Sequence, residues 1–297
     1  MIRVESVVKT FDGFKALDGL NINVPKGAIY GLVGPNGAGK STIIRHLAGI
    51  YRQDSGEVRI EGQNVYENTE IKQRIAYIPD DIYAFTQAGI KDMCDFYRRI
   101  YKNFDMDRFN KLKDVFCLDL KRPIRKLSKG MQKQAAFWLA ISMRPDVLIL
   151  DEPVDGLDPV MRRQVWSLVM GDVAENGTTV LVSSHNLREL EDVCDRVGIM
   201  NKGKTLLERS LTELQENVVK VQTVFPDGKE LPKGLNVLHE SASGKIKTYI
   251  IRGKAEEIEA AVASAAPLFY DLIPLTLEEI FIYELGGVDY EIKEVIL

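Results

Sequence analysis

The chain has 297 residues and a formal net charge of −4, with a pI near 5.6. That length can hold one large domain and one small one, and the mild acidity is not the footprint of a general nucleic-acid binder. No apolar run approaches the ~18 residues needed to cross a bilayer, the first residues lack a secretory signal, and Cys94, Cys117 and Cys194 form no C-x-x-C pair, which suits a reducing cytosol. The expectation is a soluble intracellular protein whose contact with a membrane runs through a partner.

In chain order, alternating Leu20, Ile22 and Val24 predict a half-buried strand, as do Val58 and Ile60. Between them, Ala28 to Val33 is an apolar run suited to a buried strand. Ser41 to Ile50 carries Ile43, Ile44 and Leu47 at helical spacing. The loop joining the two reads Gly34-Pro35-Asn36-Gly37-Ala38-Gly39-Lys40-Ser41, then Thr42, and satisfies the P-loop pattern. Glycines let such a backbone wrap closely, with its N–H groups turned inward on an anion. Lys40 adds a point charge for the β- and γ-phosphates, and the Ser41 hydroxyl is a ligand for Mg²⁺. A helix starting at Ser41 aims its positive end at the same place. This is a nucleotide-phosphate site.

From about Ile90 the period becomes helical. Ile90, Met93, Tyr97, Ile100, Tyr101 and Phe104 share a face, followed by Phe109, Leu112 and Phe116, so residues from about 88 to 145 read as a helical insert. Val147 to Leu150 is a continuous apolar run, as a buried parallel strand requires. Asp158-Pro159 reads as an N-cap and first helical residue, with Val165, Leu168 and Val169 inward. Thr178 to Ser183 predicts another strand. Leu187, Leu190, Cys194 and Val197 mark a following helix, and Asn201 to Lys204 a hairpin turn. Ser210 to Glu213 has the form of a capping box. Beyond it come short strands near 218–225, 235–240 and 245–251, with a Pro-Asp-Gly turn at 226–228. A helix near 255–265, a strand near 268–273 and a helix near 277–285 complete a small α+β region over 211–297.

A P-loop needs a carboxylate to hold the metal and a group to activate water. Asp151 ends the run Val147 to Leu150, placing its carboxylate at a strand's C-terminal end, where ligands sit in such sheets. Glu152 follows as a candidate general base, and His185 lies just past another apolar strand. With these residues in view, the chain resembles the nucleotide-binding subunit of an ATP-binding-cassette (ABC) transporter over residues 1 to about 207. Gly34 to Ser41 resembles Walker A, and Val147 to Asp151, followed by Glu152, resembles Walker B. Leu127-Ser128-Lys129-Gly130-Met131 is similar to the family signature, Gly156-Leu157-Asp158 to the D-loop, and His185 to the switch histidine.

The resemblance implies an α/β fold: a P-loop NTPase core sheet with flanking helices, an N-terminal antiparallel β part, the helical insert and the C-terminal α+β region. Residues 1–210 would then form the ATPase domain. It implies ATP and Mg²⁺, with Ser128 and Gly130 facing the γ-phosphate held by a second subunit and Asp158 contributing through the D-loop. Phe11 takes the place of an adenine-stacking aromatic, with a core residue as the other reading. Asp80 stands where the family carries the Q-loop glutamine. It offers Mg²⁺ a hard oxygen, and the other reading is a surface turn. Lys121, Arg122, Arg125, Lys126, Lys129 and Lys133 read as a solvated basic face, the other reading being a surface for phosphate or the anionic membrane, and His46 and His239 are assigned no site. The partners implied are separate transmembrane permease subunits and a second ATPase subunit, identical or related, with no nucleic acid. The expected function is an ATPase that powers transport, exporter-like through Lys-Gly-Met in the signature and Leu-Glu-Glu-Ile-Phe near the end. The alternatives are an importer subunit or a soluble cassette ATPase acting on ribosomes or DNA. Glu152 and His185 argue against a module that holds ATP without hydrolysing it.

Overall fold

Alternating and continuous apolar runs sort the N-terminal unit into two sheets of different construction. The computed structural model describes residues 1–279 except 83, 217, 227–229 and 274. By its contacts the chain divides into two compact units, 1–186 with 193–208, and 187–192 with 209 onward.

In the first unit, β1 (Ile2–Phe11) and β2 (Phe14–Val24) form a hairpin in which Phe11 pairs with Phe14 across Asp12-Gly13. β3 (Ile29–Val33) leads into α1 (Lys40–Leu47). β4 (Ser55–Ile60), the two-residue β5 (Gln63–Asn64), α2 (Thr69–Lys72) and β6 (Ile75–Ile78) follow. Three helices come next: α3 (Ile90–Ile100), α4 (Met106–Phe116) and α5 (Lys129–Ser142). Then come β7 (Val147–Asp151), α6 (Pro159–Asn176), β8 (Thr179–Ser184), β9 (Arg196–Asn201) and β10 (Lys204–Ser210). One sheet is antiparallel, in the order β2-β1-β4-β5. The other runs β10-β9-β3-β8-β7-β6, and its five strands from β9 to β6 are parallel. Every residue of β3, β7 and β8 is buried, as expected of strands covered on both faces. Ile2, Leu20 and Ile22 of the antiparallel sheet share one core with Ile43 and Leu47 of α1 and with Val147 and Leu181 of the parallel sheet.

Among the three helices, Trp138 of α5 stacks on Phe109 at 4.8 Å and on Phe116 at 5.9 Å between ring centroids. Its indole N–H donates to the Phe109 carbonyl at 2.8 Å, so the polar edge is satisfied as the rings bury. Cys117 ends α4 in a left-handed conformation, φ +50°, and is exposed, whereas Cys94 and Cys194 are buried.

Two expectations need correction. The helix read from Leu187, Leu190, Cys194 and Val197 is a single turn, α7 (Arg188–Glu191), and Val197 lies in β9 beside Gly31 of β3. Apolar residues three and four apart matched a helical period, but Val197 to Met200 is a continuous buried run and satisfies its backbone in the sheet. Lys133, read as part of a solvated face, is 3% exposed.

In the second unit, α7 and α8 (Leu211–Glu216) accompany a sheet made of β11 (Val218–Val224), β12 (Asn236–Ser243), β13 (Ile246–Arg252) and β14 (Phe269–Ile273). The sheet is antiparallel in the order β12-β13-β11-β14. Ile258 and Val262 of α9 (Ala255–Ser264) pack on Val219, Val221, Tyr249 and Ile251. Glu191 accepts from the Leu277 amide at 3.2 Å, which ties α7 to this unit. Residues 227 and 228 of the expected turn, and the expected helix from 280 onward, lie outside the described residues.

Candidate functional site

Gly39 sets the geometry of the loop between β3 and α1. Its φ is +103°, and a Cβ there would meet the Ala16 carbonyl oxygen at 2.7 Å, so only glycine fits. α1 therefore starts at Lys40 with its first amides turned into a cavity of about 310 Å³. Pro35 to Thr42 line that cavity together with Phe14, Ala16, Asp80 and Glu152. Gly34 contributes its carbonyl, which accepts from Lys40 Nζ at 2.5 Å, while the same ammonium lies 3.8 Å from Glu152 Oε1. Burial lowers the Lys40 pKa, and Glu152 and Asp151 oppose that shift. A buried cation at a helix start, beside inward amides and a left-handed glycine, fits a bound polyphosphate.

Asp151 closes β7 and is 3% exposed. The parallel register sets it beside Ser183 of β8, whose hydroxyl donates to Asp151 Oδ1 at 2.6 Å. Ser41 Oγ, which opens toward the same carboxylate, is 3.3 Å from that oxygen. A hydroxyl and a carboxylate this close form an oxygen donor pair of the kind Mg²⁺ accepts. Glu152, Asp155 and His185 also bring ligand atoms within 4.8 Å of one another, but Asp155 and His185 are exposed, and an imidazole is a poor ligand for so hard a cation.

Glu152 takes a left-handed backbone conformation, φ +46°, uncommon for a residue with a Cβ. Its amide lies 3.2 Å from the Ser183 carbonyl and hydroxyl oxygens. His185 Nδ1 is 3.0 Å from Glu152 Oε2. An ionised carboxylate only accepts, so Nδ1 carries the proton in that bond. Burial raises the Glu152 pKa above its ordinary value, against the opposing pull of the His185 bond and of Lys40.

Ser128, Gly130 and Asp158 do not line the cavity. Ser128 caps α5, accepting from the Met131 amide at 3.3 Å, and Asp158 caps α6, accepting from Val160 and Met161 at 3.0 Å. A Cβ at Gly130 would meet the Gly156 carbonyl oxygen at 2.4 Å, so the start of α5 lies directly on the loop that carries Asp158. Phe11 does not line the cavity either; it stands edge-on to Tyr51 at 5.5 Å, and its hairpin neighbour Phe14 takes the lining position. The sequence signal for Phe14 was the tight Asp12-Gly13 turn, which puts residues 11 and 14 opposite each other. Ser183 had the weaker signal of a hydroxyl ending a buried strand.

The parallel sheet with its P-loop at the β3–α1 junction defines a P-loop nucleotide-binding protein. A family model described as ABC transporter matches residues 17–155. The ABC transporter ATP-binding protein YtrB of Bacillus subtilis is 32% identical over 288 residues, covering 97% of this chain and 99% of its own. The daunorubicin/doxorubicin resistance ATP-binding protein DrrA of Streptomyces peucetius is 35% identical, covering 73% of this chain and 67% of its own. The bacitracin transport ATP-binding protein BcrA of Bacillus licheniformis is 33% identical, covering 73% and 72%. A solved ATP-binding subunit of an ABC transporter superposes with a TM-score of 0.68 at 25% identity, covering 72% of this chain and 92% of that one. The chain belongs to the ABC transporter family, as an ATP-binding, ATP-hydrolysing subunit that powers transport. Subunits of this family dimerise and work with transmembrane permeases; among the described residues here, no helix is long and apolar enough to cross a membrane.

Proposed function

We propose that this chain is the ATPase subunit of an exporter, acting as a Mg²⁺-dependent dimer on the inner face of the membrane. The names of the drug-resistance relative and of the bacitracin-transport relative support the direction of transport. The observation that carries the hydrolytic reading is the Glu152–His185 pair, 3.0 Å apart, with Glu152 facing the cavity that Lys40 closes. Residues 1–210 are the ATPase domain and 211–297 the accessory region.

In this reading Pro35 to Thr42 bind the phosphates through backbone amides, and Lys40 binds the β- and γ-oxygens. Ser41 and Asp151, with Asp80 near, would hold Mg²⁺, which would supply positive charge beside those oxygens. Ser183 keeps Asp151 in orientation. Glu152 accepts a proton from water, and its raised pKa brings it closer to the operating pH than an ordinary carboxylate. His185 orients Glu152 through Nδ1 and leaves Nε2 for the γ-phosphate. Ser128 and Gly130, at the start of α5, meet the ATP of a second subunit, identical or related, and Asp158 lies in the adjoining loop. Closure of that dimer on ATP drives the permease, a separate chain.

Purification of tagged Glu152→Gln protein from detergent-solubilised native membranes in ATP tests the assignment. A polytopic membrane protein recovered in stoichiometric amount is the expected result. Recovery of ribosomes or DNA-bound proteins, with nothing from the membrane fraction, overturns the transport reading.

A further inference from the structure

Lys133 lies on α5, just over one turn beyond Ser128, and its side chain is 4% exposed. Its ammonium stands 3.2 Å from Asp80 Oδ1 and donates to the Glu152 carbonyl oxygen at 2.5 Å. Desolvation makes an unpaired buried ammonium costly, and these partners offset that cost. They come from the loops that follow two neighbouring parallel strands, β6 and β7. The Asp80 side chain remains 57% exposed and lines the phosphate cavity. The Glu152 peptide, held in a left-handed conformation, is thus fixed on one side by β8 and on the other by Lys133. At its start the same helix touches the Gly156 carbonyl through Gly130.

We propose that Lys133 is a positioning residue for hydrolysis. By joining the Glu152 peptide to the Asp80 carboxylate, it fastens the helix that presents Ser128 to the hydrolytic residues of its own chain. The proposal rests on the reading of Glu152 as the base and of Ser128 as a group offered to a second subunit. A movement of Glu152 or Asp80 during turnover is then carried along α5 to Ser128, so that hydrolysis in one chain is coupled to the site it completes on the other.

The test is steady-state ATPase kinetics beside direct ATP-binding measurements on the full chain. The variants are K133M, K133R, D80N and the double variant D80N/K133M, with E152Q as the inactive control. The wild type is expected to hydrolyse ATP with a Hill coefficient above one. K133M should lose about 10- to 100-fold in kcat, the scale of a small misplacement of a reacting group, and its Hill coefficient should fall to one with Kd for ATP unchanged. K133R should restore most of the loss, and D80N/K133M should be no worse than K133M alone, as for residues acting through one contact. An active wild type with a dead E152Q, beside a K133M of unaltered kcat and Hill coefficient, overturns the proposal and leaves the base assignment standing. Equal losses of kcat and ATP affinity in K133M also overturn it, because a lysine needed only for structure gives that pattern. Should K133M not fold, K133Q decides: lowered kcat at unchanged Kd supports the proposal, and wild-type turnover overturns it. A wild-type E152Q turnover overturns the reading of the base itself, and the proposal with it.

Discussion

Pro35 to Thr42 reach the cavity as a consecutive stretch of chain, whereas Asp80 and Glu152 reach it from just beyond the ends of two neighbouring parallel strands, with Asp151, Ser183 and His185 bonded beside them at or just past the ends of β7 and β8. The first region depends on one left-handed glycine and a helix start, both local. The second depends on register: Asp151 meets Ser183 only because β7 and β8 align at that pair. Binding and turnover are therefore expected to fail separately, the first through the cradle and the second through single side chains of the cluster.

The sharpest separation is expected from Glu152→Gln. Loss of the base should lower kcat by roughly 10²–10⁴-fold, while ATP affinity holds and ATP traps a dimer visible by size-exclusion chromatography. Wild-type turnover would break the comparison at its centre. Lys40→Ala attacks the cradle instead. Loss of its charge-assisted contacts should weaken ATP binding by about 10–100-fold, read by calorimetry, and undiminished affinity would remove Lys40 from the phosphates. Smaller still, Phe14→Ala should lose about 1 kcal/mol of base stacking, roughly a fivefold rise in Kd for ATP, and more than Phe11→Ala does. The reverse order would return the adenine to Phe11, the reading from the sequence.

The mildest effect is a shift in pH dependence. Glu152 must be ionised to accept a proton, so kcat/KM should fall as pH drops through its pKa, which burial holds above the ordinary glutamate value. The His185 bond lowers that pKa, so its removal in His185→Ala should raise it. The acid limb of the residual activity is then expected at higher pH than in the wild type. A limb that stays in place, or moves to lower pH, would show that His185 does not act on Glu152.

The same contrast governs what could be read from the sequence. The cradle was legible because its residues are contiguous and each has a mechanical reason to be there. β7 and β8 were legible as continuous apolar runs, and Asp158 as a cap before Pro159. β6 escaped notice because Ile75 to Ile78 is only four residues long and runs straight into Pro79. Ser183 could not be paired with Asp151 before the register was known. Lys133 was hidden by its company: it sits in a segment crowded with lysine and arginine, and periodicity does not single out the one ammonium that folds inward. Phe14 carried no signal apart from Phe11, because a two-residue turn brings both rings to one end of the hairpin, and of the two it is Phe14 that lines the cavity.

The cysteines described earlier give this chain a labelling chemistry of its own. Burial raises the thiol pKa of Cys94 to about 11 and pushes that of Cys194 higher still, so neither supplies much thiolate at neutral pH. Cys117 alone is exposed, at the end of α4, where its left-handed backbone holds it out of the helix. A maleimide dye added to the native protein should therefore mark one point on the three-helix segment without any engineered residue, giving a fluorescence reporter for that segment while ATP is bound and turned over.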